Sequence, residues 1–482
     1  MPSIFTTSIH TQLATAFCFN LWQRQIIGSL QMRNLLQSIE RTALSPQQER
    51  VRKLVKDFLK QRTNHYDNVP EVDQLSDSKD ENWEESEAPA ASIATGLDWR
   101  KYILIKGKPG TGKSHAIKVV IEESLEEEYT VCCATPTGIL TSSYRAQFIE
   151  DSFYCDTIHT MFKYPVLKEE KPMVNWELGQ FNVLIIDELS MVPQKIFRHI
   201  ASTFQQLHVR PVVVLCGDQQ QQQPITTVEG KTRQTERILN SRDFYKQCVV
   251  VDFLEQHRCR DLKFQEYLNY LRYYKPSKAF LRELFKDRTL CRGNEPSQEQ
   301  LRSILLENSE SLVLTVSRKA AQRVNDIAVH AIFMGKTAFA SVQMDNTESQ
   351  MVLFKGMRVI ITQNRDKKNG VINGQNDEVV NYELGTILLQ LPNSHVVAIH
   401  TVTEIAEDGT NRVFYPIVPA YATTICKIQG QTLHKVVIWL DCPYVPRGTA
   451  YVALSRLRTL EDLSFMVYGN SEQFLPVEML KE

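Results

Sequence analysis

The sequence predicts an α/β protein with two parallel-sheet domains, the second of which carries a small antiparallel barrel. Between residues 97 and 250, short apolar segments alternate with helical ones, from YILIKG to CVVVDF. Such alternation is typical of a parallel sheet with crossover helices. The same texture returns at SLVLTVSR and HKVVIWLD, whereas residues 377–421 alternate with a period of two. This second texture predicts antiparallel strands and turns.

Composition limits the classes of function. With 482 residues, 43% of them hydrophobic, the chain can bury two or three cores. Its formal net charge of -1 gives no overall basic field, so a nucleic acid would have to bind in a local groove. The chain lacks the run of about 18 apolar residues that a membrane-spanning helix needs.

Cysteine usage and the first residues bear on the compartment. The ten cysteines include no C-x-x-C pair, which favours reduced thiols in an intracellular protein. The first acidic residue is Glu40, and Arg24 and Arg33 precede it. An acid-poor start is typical of mitochondrial transit peptides, but two arginines are few, and a flexible extension over residues 1–43 is the favoured interpretation. A nuclear location is favoured for a eukaryotic or viral protein, with the mitochondrion as the alternative.

Residues 44–65 predict an amphipathic helix. In QQERVRKLVKDFLKQR, the apolar residues recur at spacings of three and four and therefore share one face. The preceding LSP supplies a serine N-cap and a proline at the first helical position. The next segment, 66–95, predicts a disordered linker, because nine acidic residues and one lysine lie between Asp67 and Glu87.

The segment GKPGTGKS predicts a site for nucleotide phosphates. It lies between the strand YILIK and the helical segment HAIKVVIEESL, the setting that a phosphate loop requires. Glycines let backbone N–H groups wrap a polyphosphate, and the helix N-terminus adds positive potential. Lys113 would reach the β- and γ-phosphates, and the hydroxyl of Ser114 would bind Mg²⁺. The predicted ATP-binding residues are Gly107, Lys108, Pro109, Gly110, Thr111, Gly112, Lys113 and Ser114.

Two carboxylates end a second apolar strand, VLIIDELS. Asp187, at the carboxyl end of that strand, is predicted to hold Mg²⁺ through water. Glu188 is predicted to act as general base on the attacking water. Together with the phosphate loop, these residues predict a nucleotide triphosphatase that uses ATP and Mg²⁺.

Five consecutive glutamines follow the strand RPVVVLCGD, and such a run alone predicts a solvated loop. The order of the segments that follow suggests more: Gly-Asp with Gln221, then FLEQHRCRD, YATTICKIQGQTL and GTAYVALSRLRTL. This order resembles the superfamily 1 helicases. More narrowly, it resembles their 5′→3′ branch, which includes RecD and the petite-integration-frequency (PIF) helicases. ATPTG and DTIHTMF are similar to further segments of that branch, so the resemblance covers roughly residues 97–470, and LSPQQERV resembles the glutamine motif that precedes the phosphate loop.

The resemblance implies a fold of two RecA-like P-loop NTPase domains, over residues 96–250 and 251–482. It also implies a short wedge at about 162–180 in the first and a small SH3-like β-barrel at about 371–420 in the second. For the wedge interval, an ordinary surface loop is the alternative.

The resemblance also implies roles for individual residues. Gln221 would sense the γ-phosphate, and the other four glutamines would have no role. Arg258 and Arg456 would act as arginine fingers, although each alone would be interpreted as a structural ion-pair partner. Gln48 would recognise adenine, with a helix that only packs on the core as the alternative, and Gly430 would contact ATP.

A single-stranded DNA track needs backbone donors, hydroxyl groups and stacking surfaces more than massed charge. By resemblance, the expected DNA contacts are Pro136, Thr137, Gly138, Thr157, His159, Thr160, Asn364, Thr424, Lys427 and Gln429. Three residues depart from the pattern of the relatives, which leaves DNA affinity and subgroup open but removes no phosphate ligand: Ile139, Gln222 and Cys426.

The sequence therefore predicts an ATP-driven 5′→3′ DNA helicase. It would act as a monomeric motor on single-stranded and forked DNA, with replication or repair proteins as further partners and without a membrane. Three alternatives stay open: a translocase that strips proteins from single strands, a non-catalytic subunit of a replication complex, and an RNA helicase.

Overall fold

In this computed structural model the described residues are 44–67, 98–165, 171–221, 224–228, 231–234, 238–345, 347, 350–363, 365–366, 371–391, 394–405 and 410–478. The predicted N-terminal extension lies outside them, as does the predicted acidic linker from residue 68 onward. Within these ranges, no helix has the length and apolarity needed to cross a membrane.

The first part of the chain alternates strands with helices, as its sequence predicts. Its strands are β1 (Tyr102–Gly107), β2 (Val131–Thr135), β3 (Phe153–Thr157), β4 (Val183–Ile186), β5 (Val212–Gly217), β6 (Ile225–Val228), β7 (Lys231–Gln234) and β8 (Cys248–Phe253). Its helices are α1 (Pro46–Asp67), α2 (Lys113–Glu126), α3 (Gly138–Gln147), α4 (Ile158–Met161), α5 (Gln194–Gln206) and α6 (Arg242–Lys246).

Six of these strands form one parallel sheet, in the order β3-β2-β4-β5-β1-β8. Alternate side chains enter the cores on its two faces: Ile103 and Ile105 lie in one core, and Leu104 lies in the other. Because β4, β5 and β1 are neighbours, their carboxyl ends meet at one edge of the sheet. That edge carries the phosphate loop, the Asp187–Glu188 pair and the residues after Gly217.

Helix α1 extends beyond the predicted range and begins at Pro46. The hydroxyl of Ser45 accepts a hydrogen bond from the backbone N of Gln48, and the side-chain oxygen of Gln48 accepts one from the N of Ser45. This reciprocal capping explains why the helix starts there. From Val51 onward its apolar residues pack in the core that also contains Ile103.

The second part of the chain contains another parallel sheet and several antiparallel strands. Its helices are α7 (Leu262–Tyr273), α8 (Lys278–Phe285), α9 (Gln298–Glu307), α10 (Arg318–Ile332) and α11 (Thr449–Leu454). Its strands are β9 (Leu312–Thr315), β10 (Ala338–Val342), β11 (Met351–Phe354), β12 (Arg358–Ile361), β13 (Asn376–Glu383), β14 (Thr386–Gln390), β15 (Val396–Ile399), β16 (Val402–Ile405), β17 (Asn411–Phe414), β18 (Ile417–Pro419), β19 (Ala422–Thr424), β20 (Val436–Trp439) and β21 (Leu463–Phe465).

The parallel sheet has the order β19-β9-β20-β21. The apolar side chains of α7, α8 and α11 form a core with residues of β9, β20 and β21. This sheet and its helices form the second lobe of the chain, and the six-stranded sheet with its helices forms the first lobe.

Between β9 and β19 the chain forms antiparallel strands. The largest group is a five-stranded sheet in the order β15-β14-β13-β12-β18, and β10 pairs with β11 and β16 with β17. Antiparallel pairing thus begins upstream of the predicted interval 371–420. The segment GMRVIITQN contributes β12, which pairs with β13 and β18 and therefore belongs to the inserted sheet.

The predicted wedge interval 162–180 is described except for residues 166–170. Its described part contains a short 3₁₀-helix, Trp176–Gln180. Asn175 anchors this helix by donating to the carbonyl of Met161 at 2.9 Å. Trp176 is 56% exposed and its ring stacks on that of His208, with centroids 6.1 Å apart. Its role as a wedge stays a prediction.

One carboxyl group of the inserted sheet has an unusual environment. Asp377 lies in β13 opposite Val359 and is 6% exposed. Among the described residues, neither of its carboxylate oxygens has a hydrogen-bond partner of normal geometry. Burial therefore raises the pKa of Asp377 to about 7, although the nearby Gln375 side chain partly opposes this change.

We expect Asp377 to make the stability of the fold depend on pH. In an unfolded chain the carboxyl has a pKa of about 3.9. Between about pH 4 and pH 7 the folded state therefore keeps a proton that the unfolded state releases, and stability falls as the pH rises. Asp377→Asn removes this proton equilibrium. The Tm of the variant minus the Tm of the wild type should therefore increase as the pH rises from 5 to 8. Glu378→Gln, at the exposed neighbouring position, should show no such change in differential scanning fluorimetry.

Candidate active site

A cavity of about 620 Å³ lies at the edge where β1, β4 and β5 end. The phosphate loop and the Asp187–Glu188 pair line it from the first lobe, and Arg456 lines it from the second. The predicted site residues that the structure brings together here are Pro109, Gly110, Gly112, Lys113, Ser114, Asp187, Glu188, Gln221, Arg258, Gly430 and Arg456.

The phosphate loop is held in shape by its own side chains. The hydroxyl of Thr111 donates to the carbonyl of Lys108 at 2.8 Å, and Thr111 is buried. The ammonium group of Lys113 donates to the carbonyls of Gly107 and Lys108, both at 2.9 Å. These bonds hold the Lys113 ammonium group inside the loop, where a bound phosphate would meet it.

The segment after β8 packs directly on this loop. The carbonyl of Gly110 accepts hydrogen bonds from the backbone N of His257 at 2.8 Å and of Arg258 at 3.1 Å. The side chain of Gln256 donates to the carbonyl of Pro109 at 2.9 Å. Gly110 has a φ of 80°, and a Cβ there would lie 2.3 Å from the side-chain oxygen of Gln256. The positive φ and the close approach of Gln256 therefore both require a glycine at residue 110.

The two carboxylates differ in their partners. Asp187 accepts a hydrogen bond from the hydroxyl of Tyr144 at 2.8 Å and one from the N of Glu188 at 2.8 Å. Glu188 has a left-handed backbone, with φ 51° and ψ 46°, which costs about 1–3 kcal/mol for a residue other than glycine. Among the described residues, its buried Oε2 has no hydrogen-bond partner. Burial and the neighbouring Asp187 raise the pKa of Glu188.

The two predicted arginine fingers approach the cavity from different segments. Nη1 of Arg258 donates to the carbonyl of Ser455 at 2.8 Å. Arg456 is only 1% exposed, and it donates to the carbonyl of Val452 and to the hydroxyl of Ser455. Burial and the nearby Arg456 lower the pKa of Arg258 to about 10, so the guanidinium group of Arg258 is charged at neutral pH.

The glutamine run is packed against the protein where it is described. Gln221 is 1% exposed, and its side-chain oxygen accepts a hydrogen bond from Gln429 at 2.8 Å. Gln220 is 2% exposed, and Gln219 accepts a bond from the hydroxyl of Tyr245 at 2.9 Å. The first two glutamines are therefore held by contacts in the fold, and the expectation that they have no role in function stays a prediction. Gln222 and the residue after it lie outside the described residues.

Several residues of the cavity were not singled out by the sequence. His115, His257, Arg260, Thr432, Arg458 and Thr459 also line it. Five lysine and arginine side chains therefore face the cavity, against two carboxylates. This excess of positive charge suits a polyanion such as a nucleoside triphosphate. Arg260 and Arg458 each lie two residues beyond a predicted arginine finger. This spacing was the signal in the sequence that could have placed them in the cavity.

The expected DNA contacts fall on two segments of the first lobe and one of the second. Pro136, Thr137 and Gly138 join β2 to α3, where the Thr137 hydroxyl accepts a bond from the N of Leu140. Thr157, His159 and Thr160 start α4, and the hydroxyls of Thr157 and Thr160 lie 3.0 Å apart. In the second lobe, the expected contacts are Thr424, Lys427 and Gln429.

Gln429 and Asn364 differ from the other expected DNA contacts. Gln429 is 5% exposed and donates to Gln221 and to the hydroxyl of Ser190. Its side chain therefore faces the predicted phosphate sensor, whereas Lys427 in the same segment is exposed. Asn364 lies outside the described residues.

Gln48 lies in the first turn of α1, where its side chain takes part in the reciprocal cap with Ser45. Its predicted recognition of adenine stays a prediction.

The chain is similar in sequence to known nucleotide-dependent proteins. A family model described as an AAA domain matches residues 90–237. The ATP-dependent DNA helicase PIF1 of Danio rerio is 25% identical over 383 residues, which are 76% of this chain and 58% of that protein. The chain thus spans less than two thirds of the length of this relative.

Solved structures show the same fold. A Pif1 structure described as explaining unwinding at forked dsDNA by two coordinating helicases has a TM-score of 0.63 at 20% identity. The match covers 91% of this chain and 95% of the chain in that structure. Bacteroides Pif1 bound to ssDNA has a TM-score of 0.58 at 23% identity. The match covers 78% of this chain and 91% of the Bacteroides chain. These structures confirm the predicted fold of two RecA-like domains, and the Danio rerio protein bears out the predicted resemblance to PIF helicases.

Gly110→Ala tests the contact between the phosphate loop and the segment that carries Arg258. An alanine there combines an unfavourable φ with a collision against Gln256 and Arg258. Gly335→Ala is the matched control, because Gly335 has a φ of 78° but a Cβ there meets nothing within 4 Å. We expect both variants to lose about 1 kcal/mol from backbone strain.

Only Gly110→Ala should also lose the rise in Tm that a non-hydrolysable ATP analogue gives to the wild-type protein. Thermal melting with and without the analogue measures both effects. An equal response of the two variants to the analogue would show that the close approach at Gly110 is unimportant.

Proposed function

We propose that this chain is an ATP-driven motor that moves 5′→3′ along single-stranded DNA and unwinds duplex. One observation carries the proposal: a phosphate loop on one lobe and a buried arginine of the other lobe line the same cavity. A nucleotide bound between two lobes can pull them together, and its hydrolysis can release them. That arrangement is typical of motors, since a simple binding protein needs no arginine from a second lobe.

In the proposed hydrolysis, each residue of the cavity has one task. Lys113 contacts the β- and γ-phosphates, and Arg258 and Arg456 stabilise the charge that develops on the transferring phosphoryl group. Glu188 accepts a proton from the attacking water. Its unpartnered, buried Oε2 supports this task, because an oxygen already committed to a hydrogen bond would be a poorer acceptor.

Mg²⁺ fits the donors that are present, since the hydroxyl of Ser114 and the carboxylate of Asp187 line the same cavity as the phosphate loop. Both are hard oxygen ligands of the kind that Mg²⁺ prefers. When bound, the ion would neutralise phosphate charge.

Coupling to DNA is supported by a short connection. Gln221 accepts a hydrogen bond from Gln429, and Gln429 directly follows the 3₁₀-helix Ile425–Ile428 that carries Lys427. A change in how Gln221 meets the γ-phosphate would therefore move a segment that we expect to contact DNA. An amide suits this role because it can donate or accept without a change of charge.

The relatives support DNA as the substrate. The Danio rerio protein is named an ATP-dependent DNA helicase, and the Bacteroides structure contains single-stranded DNA. We propose the same substrate class here, together with ATP as the nucleotide. Forked DNA and replication or repair proteins are the proposed further partners.

The first test is ATP-dependent strand displacement on duplexes with a 5′ tail, a 3′ tail or no tail. We expect only the 5′-tailed duplex to be unwound, because the proposed motor loads on a single strand and moves toward its 3′ end. Lys113→Ala should abolish unwinding, since it removes the contact to the phosphates. Lys118→Ala, one turn further along α2, should unwind as wild type does.

The other outcomes separate the alternatives. DNA-stimulated ATPase activity without unwinding would favour a translocase that strips proteins from single strands. Stronger stimulation by RNA than by DNA would favour an RNA helicase. Absence of both activities would favour a non-catalytic subunit and would reject the proposal.

Glu188→Gln tests the proposed general base. The amide keeps the shape of the side chain but cannot take up the proton, so hydrolysis should fall about 10²–10⁴-fold. Affinity for ATP should be retained, because Lys113 and the phosphate loop are intact. Single-turnover hydrolysis and fluorescent-nucleotide binding measure the two quantities, with the exposed Glu150→Gln of the same lobe as control. A parallel loss of binding would assign Glu188 to nucleotide binding instead.

A further inference from the structure

A buried ion pair joins the two lobes. Both of its residues are far from the phosphate loop along the chain. Asp218 directly follows β5 of the first lobe, and Arg272 lies near the end of α7 in the second. Nη1 of Arg272 donates to Oδ2 of Asp218 at 2.7 Å, and Nη2 donates to Oδ1 at 2.6 Å. The two side chains are 6% and 0% exposed. A bidentate pair at this depth fixes both the distance and the orientation of the two groups.

Both groups of the pair are charged at neutral pH. Burial alone would raise the pKa of Asp218, but Arg272 more than offsets this, and the pKa of Asp218 lies below its usual value. Burial would lower the pKa of Arg272, but Asp218 outweighs it and holds that pKa well above its usual value. Removing one partner would therefore leave a buried charge without its counter-ion.

On the first lobe, the pair is attached directly to the glutamine run. Oδ1 of Asp218 also accepts a hydrogen bond from the backbone N of Gln220 at 3.0 Å. The carbonyl of Asp218 accepts one from the N of Gln221 at 3.3 Å. The conformation of this loop, and with it the position of the Gln221 side chain, thus depends on where Asp218 is held.

On the second lobe, the pair is attached to the helix that precedes Arg456. Nη1 of Arg272 donates to the hydroxyl of Tyr451 at 2.9 Å, and its guanidinium carbon lies 5.5 Å from the centroid of that ring. Tyr451 belongs to α11, which ends just before Ser455. The carbonyl of Ser455 in turn accepts a bond from Arg258. One helix therefore connects Arg272 to both arginines of the cavity.

We propose that Arg272 is a positioning residue that sets the distance between Gln221 and the Arg258–Arg456 pair. While the two lobes are together, this pair fixes the phosphate-sensing loop of one lobe against the arginine-bearing helix of the other. Arg272 is absent from the described residues that line the cavity, so it acts through Asp218 and Tyr451 and not by touching nucleotide. The inference rests on the proposed function.

The test compares nucleotide affinity with turnover in three variants. Arg272→Gln removes the charge, Arg272→Lys keeps the charge but cannot form both bonds, and Tyr451→Phe removes only the hydroxyl. Misplacing the arginines should lower the kcat of ATP hydrolysis on oligo(dT) at least about 10-fold in Arg272→Gln, while KM and ATP affinity change less than about threefold. Arg272→Lys should recover part of the rate, and Tyr451→Phe should lose about two- to fivefold.

Lys263→Gln is the matched control. Lys263 lies on the same helix and pairs with Glu283 at 2.7 Å, but both side chains are half exposed and belong to the second lobe. This variant should hydrolyse ATP at the wild-type rate. Thermal melting of every variant separates loss of rate from loss of folded protein.

Three results would overturn the inference: a wild-type kcat in Arg272→Gln, a rise in KM with kcat unchanged, or a loss of rate equal to the unfolded fraction. If Arg272→Gln fails to fold, Tyr451→Phe decides, since a wild-type kcat there would overturn the proposal and a reduced kcat at unchanged Tm would support it. A wild-type protein without ATPase activity would overturn the proposed function as well. An active wild type with an equally active Arg272→Gln would overturn this inference alone.

Discussion

The backbone contact at Gly110 is the interaction on which the geometry of the cavity depends. Its carbonyl accepts hydrogen bonds from the N–H groups of His257 and Arg258, so the segment after β8 lies directly on the phosphate loop. The contact is made by backbone atoms and leaves the Arg258 side chain available to reach Ser455 in the second lobe. A side chain at residue 110 would separate the two segments. The nucleotide loop and the first arginine are therefore joined before any ligand binds.

The charges around the cavity fall into two groups with different consequences. Asp218 and Arg272 neutralise each other in a bidentate pair, so they stabilise an arrangement and need no ligand. Arg258 and Arg456 instead repel each other, which contributes to the low pKa of Arg258. The carboxylates of Glu188 and the neighbouring Asp187 likewise repel each other, which contributes to the raised pKa of Glu188. Attraction between Glu188 and Arg456 offsets part of both repulsions. A nucleotide polyphosphate with a bound cation would relieve the rest, so chemistry is expected among these charges.

The sequence was sufficient for the features that depend on local pattern. Five of the six strands of the first sheet, the phosphate loop and the Asp187–Glu188 pair follow from apolar runs and glycine spacing, whereas β3 was not predicted. It was insufficient where distant segments meet. Nothing near Arg272 in the sequence indicates that its partner lies 54 residues away at Asp218. Likewise, Tyr144 has no local signal that marks it as the donor to Asp187. The contribution of β12 to the inserted sheet was missed because its successive residues Val359, Ile360 and Ile361 are all apolar and buried, as in a parallel strand.

In the proposed motor, the segment from Ile425 to Gly430 would couple nucleotide to DNA in the second lobe. A single 3₁₀ turn places exposed Lys427 and buried Gln429 two residues apart on opposite sides of the same short element. Gly430, with a φ of 86°, then turns the chain so that its backbone lines the cavity. Only Ile428 separates the two residues along the chain, so we expect a displacement at Gln429 to displace Lys427 as well. Coupling of the two proposed sites therefore requires only rigid movement of this turn and no chain of side chains across the lobe.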